Sequence, residues 1–90
     1  MKRRYTERFN RSFERASPRI QKAFDKQASL LLQDLRHPSL RAKKFNESAD
    51  VWQARVTGSW RMYFAIEDDT YVFLDIVPHP KYGRFSEATV

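Results

Sequence analysis

The stretch Trp52–Tyr82, WQARVTGSWRMYFAIEDDTYVFLDIVPHPKY, decides the fold. In it Trp52, Ala54 and Val56 alternate with Gln53 and Arg55, and Trp60, Met62, Phe64 and Ile66 alternate with Arg61, Tyr63 and Ala65. A third run sets Val72, Leu74 and Ile76 against Tyr71, Phe73 and Asp75. Period two, three times over, predicts three β-strands. A three-residue loop at Thr57-Gly58-Ser59, with Gly58 supplying positive φ, puts Val56 opposite Trp60 and therefore Arg55 opposite Arg61. A two-residue loop would set Arg61 against the apolar Val56 instead. Counting back from a second turn at Glu67-Asp68-Asp69 pairs Ile66 with Thr70 and Arg61 with Asp75. This register keeps the apolar face continuous, which is the reason to prefer it.

Two arginines facing each other cost a few tenths to ~1 kcal/mol unless something anionic answers them. One reading is that Asp75 bridges them, or that both side chains splay into water. The other is a phosphate seat, because each guanidinium presents a fork of donors matched to phosphate oxygens. The same face would carry Gln53, Tyr63, Tyr71 and Phe73, and aromatic rings interleaved with cations suit bases and phosphates. The alternative for the aromatics is packing beneath the C-terminal segment, and for Phe73 that is the preferred expectation.

Upstream, Ser17-Pro18 reads as an N-cap followed by proline at the first helical position. Ile20, Phe24, Gln27/Ala28, Leu31 and Leu35 then recur at helical spacing up to His37-Pro38. The basic residues Arg19, Lys22 and Lys26 fall on the outer face of this helix, most simply a solvated one. An edge strand is expected around Arg3 to Arg8 with Tyr5 inward, and Asn10 is placed to cap a short helix through Phe13 and Ala16. Residues 38–50 read as a loop in which Leu40 and Phe45 anchor to the core while Arg41, Lys43 and Lys44 point outward. His37 is read as a cap for the last carbonyls of the long helix. The order of elements predicts one α+β domain over residues 1–90, with an N-terminal edge strand and a helix pair covering one face of an antiparallel sheet.

Ninety residues suffice for a modest core without a metal or disulfide. The absence of cysteine excludes a thiolate zinc site and fits a reducing compartment, and the two histidines have no third ligand at metal spacing. No apolar run approaches the ~20 residues of a membrane span, so no membrane partner and a cytoplasmic location are expected. The net charge of +6 is uneven. Residues 1–61 hold fifteen Lys/Arg against six acids, and residues 62–90 hold two against five. That basic half favours a polyanion, nucleic acid first, although an acidic protein partner or solubility alone would also explain it.

The order of elements, the Trp52 to Arg61 hairpin with its "WRMYF" strand, and the closing "DIVPHPKY" together resemble the RelE/ParE superfamily of toxins from toxin–antitoxin modules. The resemblance runs from the first strand to about Arg84. It implies a microbial RNase fold and, for the RelE branch, ribosome-dependent cleavage of mRNA that blocks translation, with a cognate antitoxin as partner and no cofactor. The ParE branch shares the fold but inhibits DNA gyrase, and a chain that has lost catalysis would survive as an antitoxin-binding module. Carried over by position, the basic residues of the family's second strand fall on Gln53 and Arg55, and the transition-state arginine of its third strand falls on Arg61. Gln53 departs from the lysine of RelE itself. His79 stands near the C-terminal histidine of several relatives, followed by Lys81 and Tyr82.

The resemblance thus implies Arg61, His79, Arg55, Lys81 and Tyr82 as catalytic candidates and Gln53 as an RNA contact, while the basic loop and the aromatic-bearing face add Arg41, Lys43, Lys44 and Tyr63 as RNA contacts. An imidazole exchanges protons near neutrality, and paired guanidinium groups stabilise a phosphorane. The other reading of His79, flanked by prolines, is a turn residue with no catalytic part.

Overall fold

A computed structural model describes residues 1–79. Strand β1 (Lys2–Tyr5) leads into helices α1 (Glu7–Arg15) and α2 (Pro18–Gln33), then a 3-10 turn at Pro38–Leu40. Strands β2 (Lys43–Asn46), β3 (Val51–Thr57), β4 (Trp60–Glu67) and β5 (Thr70–Pro78) follow. They form one sheet in the order β1-β5-β4-β3-β2, with β1 parallel to β5 and the other pairs antiparallel. The expected α+β architecture is present, and the helices cover one face, α1 against β5 and α2 against β3. Among the described residues no helix is long and apolar enough to cross a membrane.

Local signals account for most of the elements. Ser17 caps α2 by accepting from Ile20 N, with Pro18 behind it, as the sequence predicts. The α2 stripe of Ile20, Phe24, Ala28 and Leu31 is buried. The helix stops at Gln33, earlier than expected, because Asp34 is extended and its carboxylate accepts from Arg36 N at 2.9 Å, a local turn that competes with another helical bond. The cap of α1 is Thr6, not Asn10. His37 caps the 3-10 turn that follows it, its Nδ1 accepting from Ser39 N at 3.2 Å, rather than the helix before it. Leu40 is fully buried, whereas Phe45 stays exposed and lays its ring edge-on to Tyr63 at 4.9 Å. Residues 43–46 form an edge strand where a loop was expected, because four residues, two of them lysines, are too short and polar to show an alternation.

The hairpin registers rest on two irregularities. Arg55 faces Arg61 as predicted, but by another route: Thr57 pairs with Trp60 across a two-residue turn, and Val56 is an extra residue bulged out of β3. Gly58 does not sit in the left-handed region; the positive φ values are those of Arg41, Asp50 and Asp68. In the second hairpin Glu67 pairs with Thr70 around a turn at Asp68-Asp69, and Leu74 is the extra residue. Arg61 therefore faces Val77, and Asp75 faces Tyr63, so the expected Arg61–Asp75 pair is not formed.

The shorter turn also reverses the parity of β5 between Thr70 and the bulge. Tyr71 and Phe73 consequently face the helices instead of the open side. Phe73 is fully buried, with ring centroids of Tyr5, Phe9, Phe24 and Phe64 at 5.2 to 6.2 Å. Past the bulge the parity is restored, so Met62 and Ile76 pair and both are buried.

Truncating Phe73 to alanine should cost ~3–5 kcal/mol in a urea unfolding titration, the usual penalty for emptying an aromatic core position. A loss below ~1 kcal/mol would instead match a surface side chain and return Phe73 to the open face.

Candidate functional site

The open face gathers its charge around the turn between β3 and β4. Arg61 Nη1 donates to the carbonyls of Thr57 at 2.7 Å, Trp60 at 3.0 Å and Gly58 at 3.3 Å. The carbonyl of Ser59, the remaining one, accepts from the backbone N–H of His79 at 2.6 Å. All four carbonyls of residues 57–60 are thereby engaged, and the turn, Arg61 and His79 form one unit. Arg55 closes over the same turn, since a Cβ built on Gly58 would stand 3.4 Å from Arg55 Nη2. Every bond Arg61 makes to the described residues runs through Nη1, which leaves Nε and Nη2 without a partner among them.

The electrostatics follow from this crowding. Partial burial, then the charges of Arg55 and Arg41, push the Arg61 pKa below the ordinary guanidinium value. Burial, then Arg61 and Lys43, likewise push the His79 imidazole below its ordinary value. His79 Nδ1 is buried with no hydrogen-bond partner among the described residues. A ring held below its ordinary value resists protonation more than a free imidazole does.

The acid expected to answer the arginines is engaged elsewhere. Asp75 accepts from Arg8 Nε at 3.2 Å and from Ile76 N at 2.8 Å. Its partner across the ladder is Tyr63, whose phenol is pushed above its usual pKa, first by burial and also by Asp75, while Arg61 opposes the shift.

The sequence candidates therefore divide. Arg55, Arg61 and His79 come together, with Arg41 and Lys43 close enough for their charges to be felt there. Gln53 pairs with both Lys43 and Tyr63 on the flanking strands, and is buried. Lys44 stands apart: it is opposite Trp52, holds its ammonium 5.4 Å over that ring, and is bonded to Asp50, which raises its pKa. Trp52 in turn stacks on the core ring of Phe64, so Lys44 serves the face under the helices. Lys81 and Tyr82 lie outside the described residues.

Beside the arginine pair runs a groove of about 490 Å³ that sequence reasoning did not anticipate, bounded by Phe45, Val51, Tyr63, Leu74 and Val77. The bulged residue Leu74 is part of its lining, as is Val77, the residue opposite Arg61. Phe45, which the loop reading assigned to the core, is exposed there beside Tyr63.

No family model matches the sequence, and no curated protein does. The fold, by contrast, has many solved counterparts. A YoeB/ParE toxin from Agrobacterium tumefaciens superposes with a TM-score of 0.75 at 13% identity over 89% of this chain and 100% of its own. The archaeal RelE-RelB complex from Pyrococcus horikoshii gives 0.73 at 13% identity, over 89% of this chain and 96% of that one. The toxin-antitoxin complex RelBE2 from Mycobacterium tuberculosis gives 0.70 at 26% identity, over 88% and 96%.

Followed by NMR, His79 should titrate below the ~6.5 of a free imidazole and move back toward it in Arg61→Ala. Because the folded ring resists a proton that the unfolded ring accepts, the protein should lose stability as pH falls from the ordinary imidazole range toward the folded pKa. A midpoint at or above the ordinary value, indifferent to Arg61, would contradict the packing described for this ring.

Proposed function

We propose, from the premise that this chain has the RelE/ParE toxin fold, that it is the toxin of a type II toxin–antitoxin pair and cuts mRNA on the ribosome by a metal-independent route. The observation that carries the reading is the basic cluster of Arg41, Lys43, Arg55, Arg61 and His79 around one turn, with the nearby carboxylate of Asp75 taken by Arg8. A surface that only docks a protein needs complementarity, but it has no use for a depressed imidazole beside opposed guanidinium groups. An RNA phosphate supplies the negative charge that the cluster lacks.

In the reaction the 2′-oxygen of the RNA attacks the adjacent phosphorus as its proton passes to a base, the bond to the 5′-oxygen breaks, and that oxygen leaves with a proton. His79, whose imidazole is held below its ordinary pKa, is the base in this reading. Arg61, through Nε and Nη2, and Arg55 hold the phosphorane oxygens as charge grows on them. Lys81, two residues after His79 in the sequence, would protonate the leaving oxygen, and Tyr82 would stack on a base. Gln53, Tyr63, Arg41 and Lys43 flank the strand and hold neighbouring nucleotides. The antitoxin partner rests on the complexes in which the RelE and RelBE2 counterparts were solved. An acidic antitoxin segment would neutralise the same cluster.

Primer extension on a reporter mRNA translated in vitro tests the reading. Wild type should produce codon-phased cuts only when ribosomes are present. Arg61→Ala and His79→Ala should each lower the cutting by roughly 10²–10³-fold. Arg61→Ala should keep its stability within ~1 kcal/mol of wild type, since it removes a like-charge opposition along with the bonds to the turn. Intact mRNA and undisturbed translation, with inhibited gyrase supercoiling, would replace this reading with the ParE one.

A further inference from the structure

We propose that Gln27 is a positioning residue for the arginine pair, a clamp on the backbone of β3 that keeps Arg55 opposed to Arg61. Gln27 lies in the apolar stripe of α2 and is 7% exposed. Its Nε2 donates to the carbonyl of Arg55 at 2.9 Å and to that of Ser39 at 3.2 Å. A carboxamide at a core position costs desolvation, and here both of its N–H donors are used, each on a different element.

The carbonyl of Arg55 is the one immediately before the bulge at Val56, where the ladder is interrupted. A bulge leaves backbone groups unpaired, and a buried unpaired carbonyl is strongly unfavourable. Gln27 satisfies this one from the helix side, while the Arg55 guanidinium lies over Gly58 on the other side of the sheet. The clamp therefore sits beneath the site and touches none of its charged groups.

The alternative that it opposes is specific. If Val56 slipped into the ladder, it would face Arg61, and Arg55 would turn toward the helices. Mutual repulsion of the two arginines favours such a slip, and the bond from Gln27 to Arg55 O holds against it. The second bond, to Ser39, ties the same point of β3 to the 3-10 turn that leads to Arg41. One buried amide thus sets the relative positions of two segments that carry the basic cluster.

The inference rests on the phosphate-seat reading for its consequence, but its geometry can be tested separately. The experiment uses the full chain and three variants: Gln27→Met, close in volume without donors; Gln27→Asn, which withdraws the amide by one methylene; and Ile20→Ala, a destabilised control elsewhere in the α2 core. Two quantities are read by NMR, the cross-strand NOEs between the backbones of Arg55 and Arg61, and the affinity for pyrophosphate from the Nε–H signals of both arginines.

In Gln27→Met the Arg55–Arg61 NOEs should vanish while those of Gln53 with Tyr63 persist. Pyrophosphate binding should weaken about tenfold, as for one missing charge-assisted hydrogen bond. Gln27→Asn carries the same expectation should the methionine variant not fold, and Ile20→Ala should retain both signals. Intact Arg55–Arg61 NOEs in a folded Gln27 variant, or their equal disappearance in Ile20→Ala, would overturn the clamp. Wild type that ignores pyrophosphate, with the Arg55–Arg61 NOEs absent only from the Gln27 variants, would sink the phosphate seat and leave the clamp standing.

Discussion

The single extra residue in β5, Leu74, is the constraint to which most of this structure answers. It allows Phe73 on one side of it and Ile76 on the other to face the helices, although their spacing along the chain is odd. Without it, either the aromatic centre of the core or its far end would be turned to solvent. The bulge is closed by side chains from both directions. Thr6 Oγ1 donates to the carbonyl of Leu74 at 3.0 Å and accepts from Phe9 N at 3.0 Å, so the residue that caps α1 also seals the bulge. Asp75 accepts from the N–H of Ile76. Helix start, bulge and aromatic core are therefore a single cooperative unit.

The same residue shapes the charge on the open face. By displacing Asp75 to a place opposite Tyr63, within reach of Arg8, it deprives Arg61 of the acid that an uninterrupted ladder with a longer turn would have supplied. What remains around the turn at residues 57–60 is a set of like charges held together by covalent connection, backbone carbonyls and the fold. Such a set is unfavourable by itself and becomes favourable when an anion arrives, which is the arrangement electrostatic preorganisation requires. A largely apolar groove lined by Phe45, Tyr63, Leu74 and Val77 lies alongside, Val77 being the residue opposite Arg61.

The bulges of β3 and β5 follow one logic. Each breaks the ladder beside a residue that matters, and each has a carbonyl satisfied by a polar side chain from the helix layer, Thr6 at Leu74 and Gln27 at Arg55. Buried polar groups are kept when they have a partner and a task, and here the task is to fix irregular strands in one register. Gln27 was visible in the sequence as a polar residue inside the α2 stripe. Its meaning was not, because the carbonyl it reaches is 28 positions away.

The opposed pair Arg55 and Arg61 was expected from a three-residue loop and is instead formed by a two-residue turn and a bulge, whereas the sequence alone determined the class of fold, the two helices and the three long strands. Those depend on periodicity, on Ser17-Pro18 and on short hairpin connections, all of which are local. Only the tertiary structure decided which face Tyr71 and Phe73 occupy, where Asp75 finds its partner, and that residues 43–46 extend the sheet. A bulge adds one residue without changing the alternation that precedes it, and an edge strand is recruited by its neighbour rather than by its own composition. Such choices are made by the packing of Phe73 among four rings and by the pairing of buried carbonyls, which no run of residues displays by itself.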